Sequence, residues 1–342
     1  MKTFLLSVAL TITVLCSHAQ QKPYFTQYIM NNYILNPAIS GIENYVDVKL
    51  SYRNQWNDIV GAPKTMYMSL HGPIGKEDFR TNATSFELPG ENPLGKMYWE
   101  NYEAAAPHGG VGVILMNDQT GYISRGAAYG TMAYHIGISP QTSISAGFMG
   151  GITKITLDRT KIKWATLDPN DPAIGYHEDL NKLKPEIGAG IWLYSAGYFV
   201  GASVLNIIPG KINFSSKEIY GNYFEPMYLA TGGIRLFMNE DVSVLPSAMV
   251  QYVRGYDLQI HYNVKMQYQD KMWAGLSYRK SDILGGFAAT FGVNVSSKFN
   301  FSYAYDIAQD SKMRSQTGNT HEFILGFLLH NNAEYSCPRN IW

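Results

Sequence analysis

Charge is scarce in this chain: charged residues make up 16% of it, against about 25% in ordinary soluble domains. Lysine plus arginine and aspartate plus glutamate stand at 27 each, so there is neither a basic surface for nucleic acid nor an acidic tail. Cysteine is nearly absent, with only Cys16 and Cys337. No long apolar run follows the first fifteen residues, and the run at 4–15 is too short for a transmembrane helix, which needs roughly 20 residues. Catalytic motifs are missing as well. There is no G-x-S-x-G, no H-E-x-x-H and no Walker loop, so the sequence selects no enzyme class and no cofactor.

The N-terminus has the layout of a secretory signal: Lys2, the apolar run at 4–15, then Ser17-His18-Ala19 as a small-residue cleavage site that leaves Gln20 first. Residues 1–19 are therefore read as a cleaved signal peptide. Cys16 does not make a lipid anchor, because Leu15 stands where a lipoprotein signal wants a small residue. Removing the signal leaves Cys337 alone, so the exported chain closes no internal disulfide despite its oxidising destination.

What the chain does have is tyrosine, 25 of them, and alternation. From 257 to 268 it reads DLQIHYNVKMQY, placing Leu258, Ile260, Tyr262, Val264, Met266 and Tyr268 on one face and the polar residues on the other. Period two over twelve residues predicts a strand with one apolar and one wet face. Val46, Val48, Leu50 and Tyr52 alternate in the same way against Asp47, Lys49, Ser51 and Arg53. Nearly every charge in such runs falls on the polar parity, with Lys154 and Arg254 as exceptions near run ends. A lipid-facing Lys or Arg costs about 2–4 kcal/mol at the bilayer midplane and little near the interface, and this distribution fits that gradient.

About fourteen such segments can be counted: 44–54, 63–72, 109–117, 122–138, 142–155, 185–195, 197–206, 225–238, 242–253, 256–268, 271–280, 283–295, 298–307 and 319–329. Their lengths suit tilted strands crossing a bilayer. With both termini in the periplasm, the links at 139–141, 195–197, 239–241, 269–270 and 296–297 are short periplasmic turns. The long links at 156–184, 207–224 and 308–318 fall outside, which is the rhythm of a bacterial outer-membrane barrel. The expected fold is thus all-β, a transmembrane antiparallel β-barrel of about 14 strands over 44–330. A periplasmic or lumenal segment at 20–43 precedes it and a periplasmic tail at 331–342 follows. The link at 73–108 breaks the rhythm as a long periplasmic insertion. A soluble β-sandwich also alternates, but its strands are shorter.

Few residues invite a chemical role. His71, His135 and His261 lie on the polar face, where a solvated or hydrogen-bonded lumenal histidine is the simple reading, because no second ligand or base sits at a suitable spacing. Asp168-Pro-Asn-Asp-Pro172 lacks the ligand order of a calcium loop and reads as a turn. Gly-Gly pairs at 109–110, 150–151, 232–233 and 285–286 precede no phosphate-loop lysine or helix and read as barrel geometry. Bulky Trp273, Tyr129, His135 and Arg279 on the polar face point to a filled lumen. The 20–40 stretch, with Pro23, Phe25, Tyr28, Ile29 and Met30 as apolar anchors, reads as a periplasmic arm or a lumenal insert. Trp342 ends the tail as an interfacial anchor or a partner contact.

The stretch SYRNQWNDIVGAPKT, 51–65, joins the first two strands and carries Arg53, Gln55, Trp56, Pro63 and Lys64. It reads as a surface hairpin over 55–62 with Pro63 opening the second strand. Arg53 and Lys64 are within sequence reach of lumenal carboxylates such as Asp47, Asp306 or Glu322, which would lock the barrel seam. LNPAISG at 35–41, with Asn36 and Pro37, YRNQW at 52–56 and GAPKT at 61–65 resemble the N-terminal signature of the PorP/SprF family. YAYD ending at Asp306, HEFILGF starting at His321 and Glu322, and CPR at 337–339 look like that family's closing elements. The motifs keep the family's order across nearly the whole mature chain.

The resemblance implies an outer-membrane barrel of type IX secretion in Bacteroidetes-type bacteria, associated in some members with gliding motility. It implies as partners a secreted surface protein or adhesin with a type IX C-terminal signal, other secretion components and outer-membrane lipid. The candidate partner-contact or barrel-locking residues are Asn36, Pro37, Arg53, Gln55, Trp56, Pro63, Lys64, Asp306, His321, Glu322 and Trp342. A general porin or solute-uptake channel is the alternative function.

Overall fold

The structure, a computed structural model, describes residues 25–76, 103–157, 181–212, 222–239, 241–269, 271–281, 285–296, 298–310 and 315–330. The fold follows from the alternation: where every second residue is apolar, an extended chain presents one greasy and one polar face, and closing the sheet removes both edges. Fourteen strands form the wall. They are β1 (Val46–Asn54), β2 (Lys64–Ile74), β3 (His108–Thr120), β4 (Ile123–Ser139), β5 (Thr142–Leu157), β6 (Asn181–Tyr194) and β7 (Tyr198–Leu205). After them come β8 (Met227–Ile234, resumed at Leu236–Phe237), β9 (Val242–Val253), β10 (Gln259–Tyr268), β11 (Met272–Lys280), β12 (Gly286–Ser296), β13 (Phe299–Ala308) and β14 (Thr320–Leu329). All neighbours run antiparallel. β1 pairs with β14 from Val46↔Leu329 to Asn54↔His321, and β7 through β9 continue the wall without a gap, so the barrel is closed.

Lipid and lumen faces sort as the parity predicts. In β2, Thr65, Tyr67, Ser69 and His71 are buried inward while Met66 and Met68 are exposed. In β10, Gln259, His261, Asn263 and Gln267 are buried and Tyr262, Val264, Met266 and Tyr268 exposed. One rim carries the short links 140–141, 195–197, 238–241, 269–271 and 297–298 together with 75–107; the other carries the short 121–122, 254–258 and 281–285 and the longer 55–63, 158–180, 206–226 and 309–319. By the short-turn rule the first rim is periplasmic. A two-stranded hairpin, Gly210–Ile212 with Asn222–Phe224, stands in the 206–226 link.

Three local differences from the sequence reading have physical reasons. The run at 225–238 is interrupted at Arg235, whose backbone N–H leaves the ladder to donate to the Gly197 carbonyl at 2.7 Å. The run at 256–268 begins only at Gln259, because 254–258 turn around Gly255, which has φ of 83°. Of the 73–108 insertion, Pro73 and Ile74 finish β2 and His108 begins β3, while 77–102 lie outside the described residues. The signal peptide expected at 1–19, the turn expected at Asp168-Pro-Asn-Asp-Pro172 and the stretch 331–342 with Trp342 also lie outside them.

The interior is packed. Residues 25–45 enter the barrel as three short 3-10 turns, Tyr28–Met30, Asn32–Ile34 and Pro37–Ile39, separated by bends. Phe25, Tyr28, Ile29, Tyr33, Ile34, Ala38, Ile39 and Ile42 join one hydrophobic cluster with inward residues of the wall, including Trp192, Phe199, Leu229, Leu245 and Met249. Trp192 and Phe199 stack with centroids 5.1 Å apart. Tyr129, His135, Trp273 and Arg279 are all buried, as the bulk on the polar parity anticipates.

Candidate functional site

The lumen holds most of the residues that the sequence singles out, and the segment 25–45 organises them. Its second half lies on β4–β7 and, at Ser40 and Gly41, reaches β3 and β2. Asn36 opens the turn at Pro37, its side chain accepting from the Ala38 N–H at 3.0 Å, and Pro37 at the first position gives up no useful donor there. The same side chain donates to the carbonyls of Ile191 (3.0 Å) and Ala202 (3.3 Å). Ser203 donates to the Leu35 carbonyl at 2.6 Å and Ser145 to that of Ala38 at 2.7 Å. His135 Nε2 donates to the Ser40 carbonyl at 2.8 Å, and Ser40 Oγ to Thr131 at the same distance. The Gly41 N–H is held by His71 Nδ1 at 3.2 Å.

Such close approach needs missing side chains in the wall. A Cβ on Gly147 would lie 2.4 Å from the Ala38 amide nitrogen, and one on Gly190 2.0 Å from Asn36 Oδ1. At Gly110 it would meet the Ser40 carbonyl at 1.8 Å. Gly110 belongs to one of the glycine pairs that read in sequence as barrel geometry; its reason is instead the backbone pressed against it.

The first half meets β1, β2, β10, β13 and β14, where the chemistry is ionic. Arg53 is buried and pairs with Glu322 at 2.8 Å and with Asp306 at 3.5 Å. Asp306 also pairs with Arg279 at 3.2 Å. Thr26 enters this network, its N–H donating to Glu322 and its hydroxyl to Asp306, both at 2.9 Å, and Arg53 donates to the same hydroxyl. The Gln27 N–H reaches Glu322 Oε1 at 3.4 Å and its amide donates to the Glu322 carbonyl at 2.9 Å. Asn31 donates to Ser69 at 2.9 Å, and Asn263 donates to the Tyr28 hydroxyl. Burial raises the Tyr28 hydroxyl and pushes that of Tyr33 up to about 12, so both stay neutral donors or acceptors. Opposite, Arg125 pairs with Glu186 at 3.1 Å and Tyr129 donates to it at 2.8 Å.

The rest of the 51–65 stretch divides. Gln55 is buried rather than part of an exposed hairpin, its N–H bonded to the Pro63 carbonyl at 3.0 Å just before β2 begins. Trp56 is half-buried with φ of 55°, and its N–H donates to Thr320 at 3.3 Å. The exposed tip, 57–61, is tied to neighbouring links by Asn57 to Asn319 at 3.1 Å, Asp58 to Thr317 at 3.3 Å and Gly121 to Gly61 at 2.8 Å. Lys64 does not lock the seam. It occupies the outward parity of β2 and is exposed, whereas Asp47 points inward at the opposite end of β1 and is paired with Lys49. His321 also faces outward, where Tyr303 and its Nδ1 are 2.8 Å apart, an aromatic group near the long-link rim.

Sequence reasoning missed Thr26, Gln27, Ser145, Ser203 and the three wall glycines, since their partners are far away along the chain: Thr26 and Glu322 are 296 residues apart. Among the described residues no group of three or more His, Cys, Asp or Glu side chains is placed to hold a metal ion.

The model of the family described as "Type IX secretion system membrane protein PorP/SprF" matches residues 17–327. No curated protein matches the sequence. Among solved structures, the Acinetobacter baumannii outer membrane protein Omp33 is similar at 9% identity and a TM-score of 0.46, over 85% of this chain and 100% of that one. The P. putida toluene transporter TodX is similar at 10% and 0.44, over 87% and 93%. The CymD monoaromatic hydrocarbon channel is similar at 12% and 0.44, over 90% and 94%. Likeness at these values carries nothing beyond the barrel already read from strand pairing.

Proposed function

Because the chain belongs to the PorP/SprF family of type IX secretion membrane proteins, we propose that this outer-membrane barrel works as a holding and export accessory rather than as a solute channel. It binds a secreted surface protein, of the adhesin type with a type IX C-terminal signal, at the cell surface. In the periplasm it contacts other secretion components, and gliding motility is a downstream use of that retention. The observation that carries this reading is the filled lumen: residues 25–45 and the inward aromatics occupy the space a porin leaves to water. A lumen occupied in this way leaves the rims for binding. The hairpin 55–63, bonded to the 309–319 and 121–122 links, is a part of the outer rim whose shape is held by hydrogen bonds to its neighbours.

Deletion of the gene, followed by fractionation of cells and medium, tests it. A specific surface protein should then stay inside or be shed into the medium. If every type IX substrate still reached the surface and remained there, the reading would be wrong. Replacing Trp56 by Ala asks whether the hairpin takes part: a folded barrel that loses its secreted partner assigns recognition to the hairpin, and an intact complex removes it.

A further inference from the structure

We infer that the lumenal segment is a two-part gate, in which 35–45 is a fixed base and 25–34 a releasable arm latched by Glu322. The two parts are held in different ways. The base is keyed into the wall by its backbone: carbonyls of Leu35, Ala38 and Ser40 accept from Ser203, Ser145 and His135. Its passage also needs Gly110, Gly147 and Gly190 to lack side chains. Moving the base would strip neutral, satisfied hydrogen bonds and open voids against bare wall, so it stays.

The arm meets charged groups at one place, while single neutral bonds from Asn263 to Tyr28, from Asn31 to Ser69 and between Tyr33 and Thr131 tie the rest of it to the wall. Two consecutive backbone N–H groups, those of Thr26 and Gln27, converge on the Glu322 carboxylate, and the Thr26 hydroxyl bridges Arg53 and Asp306. Beyond this latch the fit is incomplete. Gln27 Oε1, Asn31 Oδ1 and both side-chain polar atoms of Asn32 are buried without a hydrogen-bond partner among the described residues. On the wall facing the arm, Gln259 Oε1 and His261 Nε2 are in the same position. Each of these groups regains hydrogen bonds if the arm leaves and water enters, which offsets part of the exposure of Phe25, Tyr28, Ile29, Tyr33 and Ile34. The wall needs no rearrangement for this, because Arg53 keeps both carboxylates as partners when Thr26 departs. Release of the arm would bare a polar track along β10, β13, β14 and β1 while the base remained in place. The site vacated is one that takes a backbone with two adjacent N–H donors, and its resident ligand is the chain's own Thr26-Gln27.

Single-channel recording of the full-length protein in planar bilayers tests the gate. The double variant T26V/Q27L removes the hydroxyl that bridges Arg53 and Asp306 and the amide bond to the Glu322 carbonyl, while keeping both backbone N–H groups and every wall residue, and Glu322→Gln weakens the latch from the wall side. The wild type should be closed, with rare brief openings. Each variant should spend about tenfold to a hundredfold more time open, the loss expected for hydrogen bonds to a charged group. A synthetic peptide of residues 25–34 added to T26V/Q27L should restore closure, and should fail to do so on Glu322→Gln. If wild type and both variants are equally silent while migrating as folded barrels, there is no releasable arm, and the holding function stands untouched. If all three conduct equally, the arm closes nothing, and the preference for holding over solute transport falls with it. Opening of the variants that the peptide leaves unchanged overturns the latch as a peptide-binding site.

Discussion

On the β4–β7 side of the lumen, residues 35–41 are held by neutral bonds to carbonyls and by a wall from which glycines have removed the side chains. On the side of β1, β13 and β14, Thr26 and Gln27 meet Arg53, Asp306 and Glu322 in a buried ionic network. The first arrangement depends on shape and tolerates no added atom. The second depends on charge balance and tolerates no removed partner, because a buried charge without its counterpart is far costlier than an empty contact.

The largest effect should come from breaking the ionic side. Arg53→Met leaves Glu322 without its ion pair and Asp306 with Arg279 alone, both deep in the wall. The expected loss is about 3–5 kcal/mol, the range for removing one member of a buried pair. The seam between β1 and β14 should then open at a lower temperature in the heat-modifiability assay of folded barrels. The double variant R53M/E322L, which removes the pair together, should recover part of the loss; no recovery would mean that Arg53 acts by packing rather than by charge.

Breaking the shape side should cost somewhat less. In Gly147→Val the new side chain starts 2.4 Å from the Ala38 nitrogen, so backbone must move on one side or the other. Overpacking of this kind costs about 3 kcal/mol. The same substitution at Gly126, on the outward parity of β4 where an added Cβ would meet nothing within 4 Å, should leave the midpoint almost unchanged. Equal effects at the two glycines would show that strand propensity, not the lumenal segment, sets the requirement.

The two sides are not equally legible in the sequence. The wall announces itself, because a two-residue period survives in DLQIHYNVKMQY whatever the tertiary context, and fourteen strands stand where fourteen alternating runs are counted. Arg53, Asp306 and Glu322 can be flagged from parity alone, since charges on the lumenal face of a barrel need partners there. The same parity places Lys64 with Met66 and Met68 on the outer face, so its sequence nearness to Arg53 is no guide to the seam. Residues 25–45 have no period at all, being a string of 3-10 turns shaped by the wall they touch. Glycines at 110, 147 and 190 are indistinguishable in sequence from those that merely bend a strand, until Ser40, Ala38 and Asn36 are seen against them.

Asn32 sharpens the comparison with an effect of opposite sign. It sits in the arm, three residues before the base begins, 2% exposed, with neither its amide nitrogen nor its oxygen bonded to the described residues. Leucine has the same branching with methyl groups in place of those two atoms, so Asn32→Leu removes the polar cost while keeping the shape. If the arm is held in spite of such groups, the variant should be more stable than the wild type by about 1 kcal/mol, a gain typical of relieving an unsatisfied buried polar group. The unfolding midpoint in detergent should rise, and single-channel openings should become rarer still. A fall in the midpoint would mean that Asn32 is bridged to the wall through water, and that the arm is as completely satisfied as the base.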